Sequence, residues 1–245
     1  MRFATPAAAC LLLFAIPRIT RPEPLAAQQQ DGSVLHWWHG AVAVGGITAL
    51  MLLDHPTQRF VQDNRGTASN NVAGVVRHFG QPEVYGTISA GLIVAGLVSH
   101  HERVAQAGGR LAVALVLAGA VSEGAKLALG RPRPEQSLDA DGYRPFSGQA
   151  AMPSGHTTMA FALATSLADE IHNPWAKVGL YGLATSVGWS RLNDNRHWLS
   201  DVAAGALVGI ASAKLASGRW RIFHIHPPGL LVTPSGMGLG WQGSF

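Results

Sequence analysis

The chain has 245 residues, of which 47% are hydrophobic and only 13% charged, with a formal net charge of +4. That balance excludes a disordered tail and an ordinary highly charged soluble domain, and it suits one compact, apolar, helix-rich body. Nucleic-acid binding is excluded too, because the chain has no Lys/Arg-rich run and its basic residues are mostly arginines beside glycine and proline.

The opening stretch, MRFATPAAACLLLFAIPRITRPEPLAAQQQ, begins with Arg2, continues through an apolar run from Ala7 to Ile16 and reaches small residues at Ala26 and Ala27. This is the layout of an export signal, so 1–27 is expected to be one, cleaved near Ala27, with delivery to the cell envelope. Cys10, the only cysteine, lies inside it, and a processed chain would fold without disulfides.

Charge-free stretches rich in Ala, Val, Leu and Gly follow at about 36–53, 84–101, 111–122, 157–168, 178–190 and 202–213, each long enough for a helix. Between the first two lies a polar segment with one amphipathic helix expected around 70–79. The expected fold is all-α: a helical bundle of about six apolar helices, forming one domain over 28–217. Only the first two approach the roughly 20 apolar residues that a bilayer demands. None of the six shows a clear polar face, however, which points to burial in lipid or behind other helices. The bundle is therefore expected to be membrane-associated or integral, with a soluble periplasmic body as the alternative. If the signal is removed and all the helices span, the end of the third faces the cytoplasm. Cleavage, full spanning and an external site are thus mutually incompatible. From 218 to 245 the text changes to Gly, Pro and short apolar alternation, read as an irregular or hairpin-like C-terminal tail turning across Pro234 to Gly236.

The scarce charge gathers in three places. In EGAKLALGRPRPEQ, Gly130, Pro132 and Pro134 end the third helix and leave Lys126, Arg131 and Arg133 near its mouth, the two arginines equally placed by local sequence. In AMPSGHTTMAFALA, Ser154 takes the N-cap position of a helix starting near His156, where free backbone N–H groups favour an anion. In GWSRLNDNRHWLSDVAAG, a helix running from about Arg196 would set His197 and Asp201 four residues apart on one face. The carboxylate could then fix one ring nitrogen and leave the other free for attack. Taken singly, these features also have plain structural explanations: a serine cap, cations set against a helix dipole, a solvated His–Asp pair.

Together, KLALGRPRP, PSGH and SRLNDNRHWLSD resemble, in order, the three motifs of the type 2 phosphatidic acid phosphatase family, with every defining position matched. The resemblance implies a helical bundle hydrolysing a phosphomonoester or diphosphate, with a lipid phosphate as the expected substrate and no metal or cofactor. It implies that Lys126, Arg133 and Arg191 hold phosphate oxygens and that Ser154 and Gly155 add hydrogen bonds. His197 would attack phosphorus and become phosphohistidine, oriented by Asp201, while His156 would protonate the leaving alcohol and then activate water. Asp194 and Arg196 receive no role beyond loop or rim, and His224 with His226 forms no ligand set. The alternatives are a soluble exported acid phosphatase for small phosphoesters and, further off, a vanadate-dependent haloperoxidase, which shares the anion site but usually has a much longer chain.

Overall fold

The computed structural model describes residues 33–222, 229–233 and 236–240. The expected export signal and its cleavage point, and the pair His224 and His226, lie outside the described residues. The elements run β1 (Ser33–Leu35), α1 (Trp37–Met51), α2 (Asp54–Asp63), α3 (Thr67–Val76), a 3-10 turn (Arg77–Gly80), α4 (Pro82–Val98), α5 (Glu102–Leu129), α6 (Gly155–Glu170), α7 (Pro174–Asn193), α8 (Leu199–Ala216), β2 (Trp220–Ile222), β3 (Gly229–Thr233) and β4 (Gly236–Gly240).

The fold is all-α, and the six apolar stretches correspond to α1 and α4 to α8. The amphipathic helix of the polar segment is α3 with its 3-10 extension, but α2 before it was not expected. Helix α5 is also longer than its charge-free core, at 28 residues. Its charged ends are partnered without breaking the helix: Arg110 donates to Glu170 at 2.6 Å and Lys126 to Glu123 at 2.5 Å. In the tail, β3 and β4 pair antiparallel with Thr233 opposite Gly236, the hairpin expected there. The parallel pairing of β1 with β2, Ser33 opposite Trp220, is new. Three-residue strands carry too little alternation to be read locally.

The chain runs up and down, so the ends of the bundle differ. At one end lie the close of α1, the α2–α3 segment and the start of α4, together with the close of α5, the start of α6, the close of α7 and the start of α8. At the other end, β1 pairs with β2, and Asp169 near the end of α6 meets Lys214 of α8 at 2.5 Å. The centre is built from alanines and branched aliphatic residues. Leu111, Leu115 and Ala118 of α5 meet Ala162 and Leu163 of α6, while Ala160 and Ala164 meet Ala184 and Val187 of α7. Helix α8 approaches α6 more closely still. A Cβ placed on Gly209 would stand 2.3 Å from the Thr158 carbonyl oxygen, and one on Gly205 would stand 2.7 Å from that of Ser154. Only glycine permits this backbone contact, which brings the first turns of α6 and α8 side by side.

Much of the outer surface is apolar. No residue of α1 is buried although its sequence is apolar throughout. Trp37, Val42, Val98, Val116, Trp175 and Val178 are all more than half exposed. Among the described residues, α5 and α8 are long and apolar enough to cross a membrane, and α4 is a shorter apolar helix.

Candidate active site

Each of the three charged segments sits where a helix begins or ends, and all of these termini lie at one end of the bundle. Gly130, with φ of 57°, ends α5 in the left-handed conformation. Its carbonyl accepts from Arg144 N at 3.0 Å, and the chain turns into the loop that leads to Ala151. The two arginines of that loop, equivalent by local sequence, part company here. Arg131 is fully buried and donates to Asp54 at 2.6 Å, to Ser200 Oγ at 2.7 Å, to Asp201 at 2.5 Å and to the Ala140 carbonyl at 2.8 Å. Burial by itself lowers its pKa, but Asp201 and Asp54 raise it overall, so it remains a structural cation. Arg133 instead lines an open cleft of about 440 Å³.

His197 and His156 share that cleft with Arg65, Arg77, Gln81, Arg133, Arg191, Asp194 and Arg196. His197 precedes α8 and does not lie within it, because the chain bends at Asn195, whose φ is 56°. The expected helix start near Arg196 is therefore corrected to Leu199, while the approach of His197 to Asp201 remains. His197 Nδ1 stands 2.7 Å from the Ala151 carbonyl and 3.6 Å from Asp201 Oδ2. A carbonyl oxygen only accepts, so Nδ1 carries the proton and Nε2 keeps its lone pair. Asp201 is occupied chiefly elsewhere: Oδ1 takes Arg131 and Oδ2 takes the Trp198 backbone N–H at 2.9 Å, closing the first turn of α8. Burial lowers the pKa of His197 by more than Asp201 raises it, and the net lowering keeps the ring neutral.

His156 lies in the first turn of α6, as expected. Its pKa falls to about 4, first through burial and then through Arg191, His197, Lys126 and Arg133. At pH 7 it is therefore neutral. Arg191 lies in the last turn of α7 with its side chain almost buried, and it donates to Asp194 at 2.7 Å. Asp194 is thus not a bystander: it also meets Arg77 at 3.5 Å. Arg196, equally without a role by sequence, lines the cleft and pairs with Glu135 at 2.5 Å.

Ser154 departs from expectation. It occupies the N-cap position of α6, yet its side chain caps no backbone N–H. Fully buried, its Oγ accepts from Thr157 Oγ1 at 3.0 Å, while its N–H donates to the Asp201 carbonyl at 3.0 Å, tying α6 to α8. The first N–H groups of α6 therefore receive nothing from this side chain and are left for another acceptor. The Lys126 ammonium flanks them, since a Cβ on Gly155 would lie 3.1 Å from its Nζ. Among the described residues, no three His, Cys, Asp or Glu side chains gather as a metal site would require. Sequence reasoning missed Arg65, Arg77 and Gln81, which belong to the polar segment far ahead of the motifs and reach the cleft only through the tertiary fold.

Residues 107–221 match the family model described as PAP2 superfamily. A lipid A 1-phosphatase of Porphyromonas gingivalis is 40% identical over 111 residues, which cover 44% of this chain and 22% of that protein. A second lipid A 1-phosphatase, from Rhizobium etli, is 34% identical over 107 residues, covering 42% of this chain and 45% of that one. The chain thus matches less than half the length of either relative. Among solved structures, Aquifex aeolicus LpxE aligns with a TM-score of 0.52 at 22% identity, over 67% of this chain and 94% of its own. A transmembrane PAP2 type phosphatidylglycerolphosphate phosphatase from Bacillus subtilis aligns with a TM-score of 0.59 at 20% identity, over 74% and 92%. Both structural likenesses concern the fold.

Proposed function

On the premise of the PAP2 superfamily match over residues 107–221, we propose that the chain is a metal-independent phosphatase acting on a phosphorylated lipid through a phosphohistidine intermediate. The observation that carries the reading is the pairing of His197 Nδ1 with the Ala151 carbonyl, which leaves Nε2 as a free nucleophile in a cleft walled by arginines. Arg133, Arg191 and Lys126, with the free N–H groups at the start of α6, hold the phosphoryl oxygens and stabilise their charge as the ester bond breaks. Ser154 contributes by tying α6 to α8, and Gly155 by letting Lys126 approach the helix end.

Nε2 attacks phosphorus, a P–N bond forms and the P–O bond to the alcohol breaks. His156 delivers a proton to the departing oxygen, then removes one from water, and the resulting hydroxide displaces His197 to release phosphate. Because burial and the neighbouring cations lower the pKa of His156 to about 4, its proton arrives with the substrate: a bound phosphate raises the pKa of the ring, and a monoanionic ester can carry the proton in.

A lipid substrate is favoured over a small soluble phosphoester by the exposed apolar walls, α1 above all, which can sit among acyl chains while the head group enters the cleft. The deciding experiment is phosphate release from phosphatidate, phosphatidylglycerophosphate, a polyprenyl diphosphate and a soluble phosphoester, each with EDTA and with vanadate. Lipid turnover that survives EDTA and is blocked by vanadate supports the reading. Turnover lost in EDTA and restored by a divalent ion overturns the mechanism, and preference for the soluble ester overturns the substrate class.

A further inference from the structure

The cleft holds more positive charge than one phosphoryl group needs. Five arginines line it, against one lining carboxylate, Asp194. Arg191 and Arg77 share Asp194, at 2.7 and 3.5 Å, and Arg196 and Arg133 share Glu135, at 2.5 and 3.8 Å. Among the described residues Arg65 meets no carboxylate; its Nε donates to the neutral Asn70 Oδ1 at 2.6 Å. The excess is felt inside the cleft, where Arg77, Arg196 and Arg133 all act to lower the pKa of Arg191, a shift led by its burial.

Arg65 and Arg77 come from the α2–α3 segment, outside the region that matches the family model. They are not loose surface side chains, because the segment is fastened to the end of α7 by uncharged amides. Gln62 Nε2 donates to the Leu192 carbonyl at 2.9 Å and Gln58 Nε2 to Asn195 Oδ1 at 3.0 Å. Asn70 Oδ1 accepts from Asn193 Nδ2 at 3.0 Å as well as from Arg65, so one amide oxygen sets the Arg65 guanidinium relative to the helix that carries Arg191. An amide positions Arg65 without neutralising it, while Arg77 is held beside Asp194, a carboxylate it shares with Arg191. An anion can then be met by guanidinium donors that are already aimed and still charged.

We propose that Arg65 and Arg77 form an outer anion subsite that reads a second phosphate on the substrate, while Arg133, Arg191 and Lys126 hold the phosphoryl group being transferred. The proposal rests on the phosphatase reading above and adds to it the substrate class: a lipid whose head group carries two phosphoryl groups, joined as a diphosphate or borne on separate oxygens.

The test measures kcat/KM for wild type, Arg65→Gln, Arg77→Gln and the double variant in detergent micelles. The substrates are phosphatidate, with one phosphate, a polyprenyl diphosphate, and phosphatidylglycerophosphate, with two separated phosphates. Wild type should prefer at least one doubly phosphorylated lipid. Each substitution should lower kcat/KM for that lipid about 10-fold or more, the size of a lost charged hydrogen bond, with a much smaller loss on phosphatidate. The favoured substrate tells a diphosphate from separated phosphates. Equal losses on all three lipids, in variants whose melting temperature matches wild type, would show that the arginines supply only general attraction and would overturn the subsite. Hydrolysis of none of these lipids by wild type would instead remove the phosphatase reading on which it rests.

Discussion

The two histidines of the cleft are both held neutral, but for different ends. In the proposed mechanism His197 must be neutral to attack, and its Nδ1 bond to Ala151 suits that state. In the same proposal His156 must gain a proton to act as an acid, whereas burial and then the surrounding cations lower its pKa. With the free-enzyme pKa of His156 lowered to about 4, the protonated form grows as pH falls, so kcat/KM for an alkyl phosphate should be higher at pH 5 than at pH 8. A profile that climbs steadily toward alkaline pH would contradict its role. His197→Ala should abolish the acid-labile phosphoenzyme trapped on quenching. His156→Ala should slow release of an alkyl leaving group about 100- to 10,000-fold while sparing a nitrophenolate, which scarcely needs protonation. Arg131 belongs to a different category from Arg133, two residues on. Arg131→Met strands Asp54 and Asp201, both fully buried, and should cost about 3–5 kcal/mol of stability by denaturant unfolding. Arg133→Gln should leave the unfolding midpoint near wild type and lower kcat/KM. Equal stability of the two variants would show that the buried network carries little.

At the scale of elements, the site depends on how closely α6 and α8 approach. His156 enters from one and His197 is carried just ahead of the other, and their separation is set by backbone contact at Gly205 and Gly209. Gly209→Ala places a methyl 2.3 Å from the Thr158 carbonyl oxygen, so the helices must part. The expected outcome is a loss of about 1–3 kcal/mol on unfolding, the usual cost of overpacking, with a fall in kcat larger than any rise in KM because the reacting groups are misplaced. Wild-type kcat in a destabilised Gly209→Ala protein would separate the helix contact from the chemistry.

For the whole molecule, the up-and-down path has a consequence for orientation. The start of α1 adjoins β1, which pairs with β2 beyond the far end of α8, whereas the close of α1 delivers Asp54 to the buried network beside the site. If the bundle spans a bilayer, Ser33 and the cleft therefore face opposite compartments. In sealed vesicles of one orientation, with Cys10 replaced by Ala, a membrane-impermeant thiol reagent should label Ser33→Cys or Glu135→Cys but not both. Labelling of both would indicate that the helices do not cross, and would favour a body that rests on the lipid surface through its exposed apolar residues.

The sequence alone carried the helical class, the order of the apolar helices, the hairpin of the tail and the three charged motifs whose residues meet at one cleft. These are local properties, since apolar periodicity, terminators such as Gly130 and motif spacing each act within a few residues of one another. What only the tertiary structure decided came from residues far apart in the chain. Arg131 and Arg133 share the same local text, and it is the buried carboxylates of Asp54 and Asp201 that draw one inward and leave the other in the cleft. Ser154 has the composition of a cap but is claimed by Thr157. His197 takes its partner from Ala151, in the loop ahead of α6, a backbone carbonyl that no side-chain pattern reveals. Arg65 and Arg77 lie in a polar segment that reads as surface. Their place in the cleft follows from amide hydrogen bonds to the end of α7, which form only once the bundle has folded and brought those distant residues within reach.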